Sequence, residues 1–265
     1  MKINYSFPGF SFKKTNIKII LLVLVMYGFF LITTLPASVV FSLISLPKNI
    51  TLTSSSGTIW SGKVRLLRIS GIELGSVNWE LHPFNLLLGE LSADLSIKNR
   101  NQYIKSEINI SPSGKIALEE TRFQVELSSL APLTYGMPVS YSGTASGYFP
   151  VSFFHKNNYV GLNGKLSLSN IEMISPQPQY FGDFMVDFRA EKEGATSGRI
   201  KDVKDANTEL KVDGTLKLTK KGQLNVSAKL SARTKDSSLD QMLSFFGRKD
   251  ENGSVQLNNS LNLWR

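Results

Sequence analysis

Residues 89–99 read GELSADLSIKN, and in them Leu91, Ala93, Leu95 and Ile97 alternate with Ser92, Asp94, Ser96 and Lys98. Successive side chains of a β-strand point to opposite faces, so this stretch makes a strand with one apolar and one polar side. Buried parallel strands read as unbroken apolar runs; antiparallel sheets wetted on one side read like this one. The same period recurs. Phe123, Val125 and Leu127 alternate with Arg122, Gln124 and Glu126, and Phe184, Val186 and Phe188 with Met185, Asp187 and Arg189. Leu224, Val226, Ala228 and Leu230 alternate with Asn225, Ser227, Lys229 and Ser231. The expected fold after Lys48 is all-β and antiparallel, either curled into a groove or packed as a sandwich, because a one-sided apolar sheet has to cover that side.

Glycines punctuate the pattern. Gly89, Gly164, Gly214, Gly222 and Gly253 each precede a polar–apolar alternation, which marks them as corners before strands. Their spacing is irregular, so a meander is expected rather than a solenoid of fixed period. One segment departs from period two. In KDSSLDQMLSFFGRKDENG, residues 235–253, Leu239, Met242, Leu243 and Phe246 fall at i, i+3, i+4 and i+7. Serines at its start, Asp240 in the first turn and Gly247 after the end read as a short, capped amphipathic helix. It is expected to close one open end of the sheet, with partner docking as the alternative.

Upstream the chain changes character. Ile19–Leu35 (IILLVLVMYGFFLITTL) is almost wholly apolar, and no charged residue occurs from Ile19 to Pro47. About 20 helical residues cross a hydrocarbon core. Lys2, Lys13, Lys14 and Lys18 all precede the run, so the positive-inside bias puts that side in the cytoplasm. The division expected is a cytoplasmic tail over 1–18, a single transmembrane helix over 19–37 and a β-rich exterior domain over 38–265. A cleaved signal has an apolar core of about 7–15 residues and small residues at the cut. This run is longer, and a cut after Ala37 would put bulky Leu35 three positions back, which favours an uncleaved anchor. Ser38–Leu46 either continues the helix past Pro36 as an interfacial segment or links it to the first strand.

Of 265 residues none is cysteine, which excludes disulfides, thiolate catalysis and a lipoprotein anchor. The net charge is +9, but the basic residues are scattered rather than gathered in a stripe with aromatics, so no nucleic acid is expected as partner. His82 and His155 lack a second ligand at metal spacing. GTASG at Gly143–Gly147 has its serine in the wrong place for a nucleophile elbow. Glu191 with Glu193, and Asp202 with Asp205, lie in lysine-rich polar stretches. No catalytic, cofactor-binding or metal-binding residue, no cofactor and no small-molecule substrate are expected.

SGTIWSG at Ser56–Gly62 is then read as architecture: the corner where the tether ends and the sheet begins, with Trp60 and Trp79 packing on the sheet rather than facing a ligand. Here the chain resembles a known family. A single N-terminal anchor, LPAS at Leu35–Ser38, SGTIWSG, NWELHPFNLLLGELSADL at Asn78–Leu95 and the closing SSLDQMLSFFGRKDENGSVQLNNSLNL at Ser237–Leu263 are similar to the type II secretion system protein N family. That resemblance implies a single-pass inner-membrane component with its bulk in the periplasm. It implies a part in exporting folded proteins across the outer membrane, no enzymatic activity, and other subunits of the machine and inner-membrane lipids as partners. A more distant likeness, to AsmA-type proteins with apolar-lined β-grooves, implies the alternative of a carrier for lipid or another hydrophobic ligand.

Overall fold

In the computed structural model, Ile17–Thr34 forms helix α1, exposed along its whole length, and after Pro36 a short helix α2 follows over Ala37–Leu43. The described residues are 17–43, 46–134, 140–155, 158–191, 194–204, 208–235, 237–245 and 247–262. The expectations resting on Lys2, Lys13, Lys14, Glu193, Asp205 and Phe246 lie outside them.

Thirteen strands form a single sheet in chain order: β1 (Ile50–Gly57), β2 (Ser61–Ile69), β3 (Ile72–Leu81), β4 (Leu91–Asn99), β5 (Gln102–Ile110), β6 (Lys115–Glu126), β7 (Ser140–His155), β8 (Asn158–Ser175), β9 (Gln179–Ala190), β10 (Thr196–Asp202), β11 (Leu210–Leu218), β12 (Gln223–Ala232) and β13 (Val255–Asn262). Every strand pairs antiparallel with its sequence neighbour, the expected meander in its simplest form. Among the described residues short α-helices interrupt it twice, α3 (Pro83–Leu87) between β3 and β4 and α4 (Ser238–Leu243) between β12 and β13, and a 3-10 helix once, between β6 and β7.

Directly opposed residues share a face, so the register can be followed across the sheet. Val64, Val77, Ile97, Ile104, Phe123, Gly147, Leu166, Val186, Ile200, Gly214, Ala228 and Leu257 form one unbroken row from β2 to β13. The adjacent row, on the other face, runs Lys63, Asn78, Ser96, Lys105, Arg122, Tyr148, Lys165, Asp187, Arg199, Thr215, Ser227 and Asn258. The alternation at Gly89–Asn99 is thus one column of a two-sided surface.

The described strands build one continuous sheet and no second one. A sheet of this width does not stay flat, and bulges bend it further. One lies between Lys105 and Glu107 of β5, where β6 places Glu120 at φ 49°; another lies between Leu168 and Ile171 of β8, with Asn170 at φ 54°. Among the described residues only thirteen apolar side chains are buried, few for a chain of this length. The apolar row is mostly half-buried.

Aromatic rings fill the face where glycine leaves room. A Cβ on Gly62 would lie 2.3 Å from the Trp79 ring, on Gly147 2.6 Å from Phe123, and on Gly164 2.5 Å from Phe149. The Phe123 and Phe149 rings stack at 6.0 Å, and Phe149 meets Phe188 at 5.9 Å. Rings lying over a glycine on the next strand fix register as well as burying area. GTASG falls inside β7, with Gly147 beneath these rings.

The end of the strands away from α3 carries two covers. The 3-10 helix Leu127–Thr134 packs against β7 and β3, and Leu130 encloses a cavity of about 30 Å³ with Ile72, Ile97 and Ile104. Helix α4 seats Leu239 and Leu243 against Val255, Leu230, Leu210 and Phe181, the closure expected of it. The Ser237 side chain accepts from the Asp240 amide at 3.1 Å, and Lys249 pairs with Asp240 at 2.7 Å.

Candidate functional site at the helix–sheet junction

The GTIWSG stretch does not begin the sheet: β1 precedes it, and Thr58–Trp60 form the tight connection from β1 to β2. Gly57 sits at φ 87° against Ser61, a conformation and a closeness that a side chain would oppose. The reading failed because ITLTSSSG carries only Ile50 and Leu52 as apolar signals, too few to announce an edge strand.

That turn has a second task. A helix leaves its last carbonyls without intrahelical donors, and α1 ends at Thr34. The Trp60 indole N–H donates to the Ile32 carbonyl at 2.9 Å, and the Ile59 amide donates to the Leu35 carbonyl at 3.0 Å. Pro36 bridges to Thr58. The β1–β2 turn is therefore the C-terminal cap of α1. The Trp79 indole donates to the Ile59 carbonyl at 3.0 Å, and Phe41 of α2 meets the Trp79 ring edge-on at 5.6 Å. Trp79 packs on the sheet as expected, and each tryptophan spends its one N–H on the junction. Helix, turn and sheet are joined by hydrogen bonds rather than by a loose linker.

The next connection begins at the same place. The Leu81 amide donates to the Trp60 carbonyl at 2.6 Å, and the His82 amide to the Ser92 carbonyl at 2.8 Å. His82 Nδ1 lies 3.2 Å from the Ser92 hydroxyl and Nε2 2.9 Å from the Asp94 carboxylate. The imidazole thus pins the base of α3 to β4. Beyond it Phe84, Leu87 and Leu88 are 79%, 83% and 79% exposed. These residues escaped the sequence reading, since five helical residues show no period; the signal available was an uncharged PFNLLLG run between two strands.

On the polar face of β2–β6 an open depression of about 790 Å³ is lined by four basic side chains (Lys63, Lys98, Lys105, Arg122) and four carboxylates (Glu80, Asp94, Glu107, Glu120). Balanced charge of this kind gives no net field for an anionic or a cationic ligand. Among the described residues no three His, Asp or Glu side chains gather as a metal site. His155 ends β7, opposite Lys115 and Asn158 on the neighbouring strands. At the far edge, β13 pairs with β12 on one side and its other side carries a bridge from Val255 to Lys249, and from Asn258 to Asn262 it is exposed.

The family described as "Type II secretion system (T2SS), protein N" matches residues 48–258. Two curated proteins, both named "Type II secretion system protein N", align with part of the chain. The one from Vibrio cholerae serotype O1 is 46% identical over 61 residues, 23% of this chain and 24% of its own. The one from Aeromonas hydrophila is 40% identical over 75 residues, 28% of this chain and 30% of its own. The chain thus spans under a third of the length of either curated relative. No solved structure matches.

Proposed function

The chain belongs to the type II secretion system protein N family, and from that premise we propose that it is a non-catalytic, inner-membrane-anchored component of the secretion machinery acting through contacts of its sheet. In this reading residues 1–18 belong to the cytoplasmic side, 19–37 to the membrane segment, most of it α1, and 38–265 to a periplasmic body. Support for the anchor comes from α1, whose 18 residues have a mean hydropathy of 2.3 and no buried position. The observation that carries the interaction role is the open edge at β13: an unpaired strand offers a row of backbone donors and acceptors for another chain to extend. No lysine, proline or bulge blunts this strand between Val255 and Asn262.

The test is a deletion combined with crosslinking. Loss of the protein is expected to trap secreted substrates in the periplasm or lower the levels of partner subunits. Photocrosslinkers at Asn258 and Asn259 are expected to capture another subunit of the machine, and crosslinkers at Lys165 on the polar face to capture none. Normal secretion with intact subunit levels removes the proposal.

A second reading rests on the unbroken apolar row from Val64 to Leu257, which no other sheet covers. An apolar surface of that length suits a lipid or another hydrophobic ligand. Native mass spectrometry of the full protein is expected to retain a bound lipid under this reading; a ligand-free spectrum ends it.

A further inference from the structure

We propose that the α3 loop, Pro83–Leu88, dips into the bilayer leaflet from which α1 emerges, so that the body is held to the membrane at a second point. The inference rests on the membrane-spanning reading of α1 and adds the partner of a surface which that reading leaves unused.

Position comes first. The base of the loop is bonded through Leu81 to Trp60, and the Trp60 indole is bonded to Ile32, inside the last turn of α1. β3 runs toward that end of the helix, so a loop projecting past Leu81 leaves the sheet on the membrane side. Composition agrees. From Pro83 to Gly89 there is no charged residue, and Phe84, Leu87 and Leu88 are among the most exposed large apolar side chains outside α1. Helix α2, at the same end, also leaves Val39 and Leu43 exposed, at 43% and 80%. The bare apolar surface is thus continuous in character from α1 through α2 to α3, and the cover that α1 requires is lipid.

The backbone is equipped for that setting. Apolar surroundings punish an unpaired peptide group, and the loop satisfies much of its own. Asn85 N donates to His82 O, Leu88 N to Asn85 O, Gly89 N to Leu86 O and Glu90 N to Asn85 O, at 3.0–3.2 Å. Pro83 brings no N–H at the first helical position. Glu90 and the His82–Asp94 pair stand at the rim, where polar groups meet water. Interfacial apolar groups sit about 5–10 Å into the headgroup–acyl boundary, and one helical turn rises about 5.4 Å.

The chain has no native cysteine, so single-cysteine variants can carry an environment-sensitive fluorophore in the full protein, reconstituted in phosphatidylethanolamine–phosphatidylglycerol vesicles doped with acyl-chain nitroxides. Labels at Phe84→Cys and Leu87→Cys are expected to be quenched several-fold more than one at Asn101→Cys, in the turn at the opposite end of the strands. Val25→Cys, within α1, is the reference for a membrane-embedded site. Quenching at 25 without excess quenching at 84 and 87 overturns this inference alone. A blue-shifted but unquenched label at 84 or 87 assigns the loop to a protein partner or a second copy, and also overturns it. No quenching at 25 overturns the spanning reading together with it.

Discussion

Two α-helical insertions of the sheet, α3 and α4, are close in length and opposite in fate. α4 puts Leu239 and Leu243 at 1% and 2% exposure against Val255, and a serine caps it. α3 leaves Phe84 and Leu87 bare, and its first turn is set by Pro83 and a residue that makes no side-chain cap. One apolar helix is finished by the protein itself. Among the described residues nothing covers the other.

The contrast is open to direct attack. Leu243→Ala should cost about 2–5 kcal/mol, as truncation of a sealed core leucine does, whereas Leu87→Ala should change stability by no more than about 0.5 kcal/mol. Urea unfolding of both proteins in the same detergent measures the difference, and equal losses would erase the distinction. At the helix–sheet junction, Gly62→Val drives a side chain into the Trp79 ring and should cost about 1–3 kcal/mol as overpacking. A loss of near-ultraviolet circular dichroism from the displaced indole would accompany it. Ser237→Ala removes the cap of α4 and should cost about 0.5–2 kcal/mol, with faster hydrogen exchange at the Asp240 amide as its local sign.

The smallest effect is one of pH. The Lys229 ammonium, 2.6 Å from the Asp250 carboxylate, holds that carboxyl below its ordinary value of 3.8, helped by the Ser254 and Asn252 amides. A native value below the unfolded one gives stability that is complete above the unfolded value and disappears as pH falls through the native one. Asp250→Asn should therefore flatten the acid limb of the stability curve slightly and leave the neutral region without this pH dependence. An unchanged acid limb would remove Asp250 from the account of the α4 end.

Strand character was plain in the sequence wherever one face is consistently apolar, as at Leu91–Ile97 and Leu224–Leu230, because period two is a direct image of the pleat. α4 was plain for the matching reason at period 3.6. What stayed hidden depends on partners far along the chain. β1 lacks an apolar face to advertise it. The bulges at Glu120 and Asn170 change which residues share a face, and local alternation does not report such a shift in pairing. Trp60 looked like a packing residue; its bond to the Ile32 carbonyl joins positions 28 residues apart. Phe84 and Leu87 were missed because five helical residues are too few to show a period.

One feature of the topology reaches into how the molecule is made. Since each strand is bonded only to those next to it in the chain, no pairing waits for a segment still to be synthesised. Hairpins can zip in the order they emerge, as in repeat proteins whose stability is a sum over nearest neighbours. The sheet then grows outward from its junction with the helix, and α4 arrives last, docking over the end of β11 and β12 just before the final strand is laid down. A chain interrupted partway would leave a shorter sheet of the same design rather than a tangle.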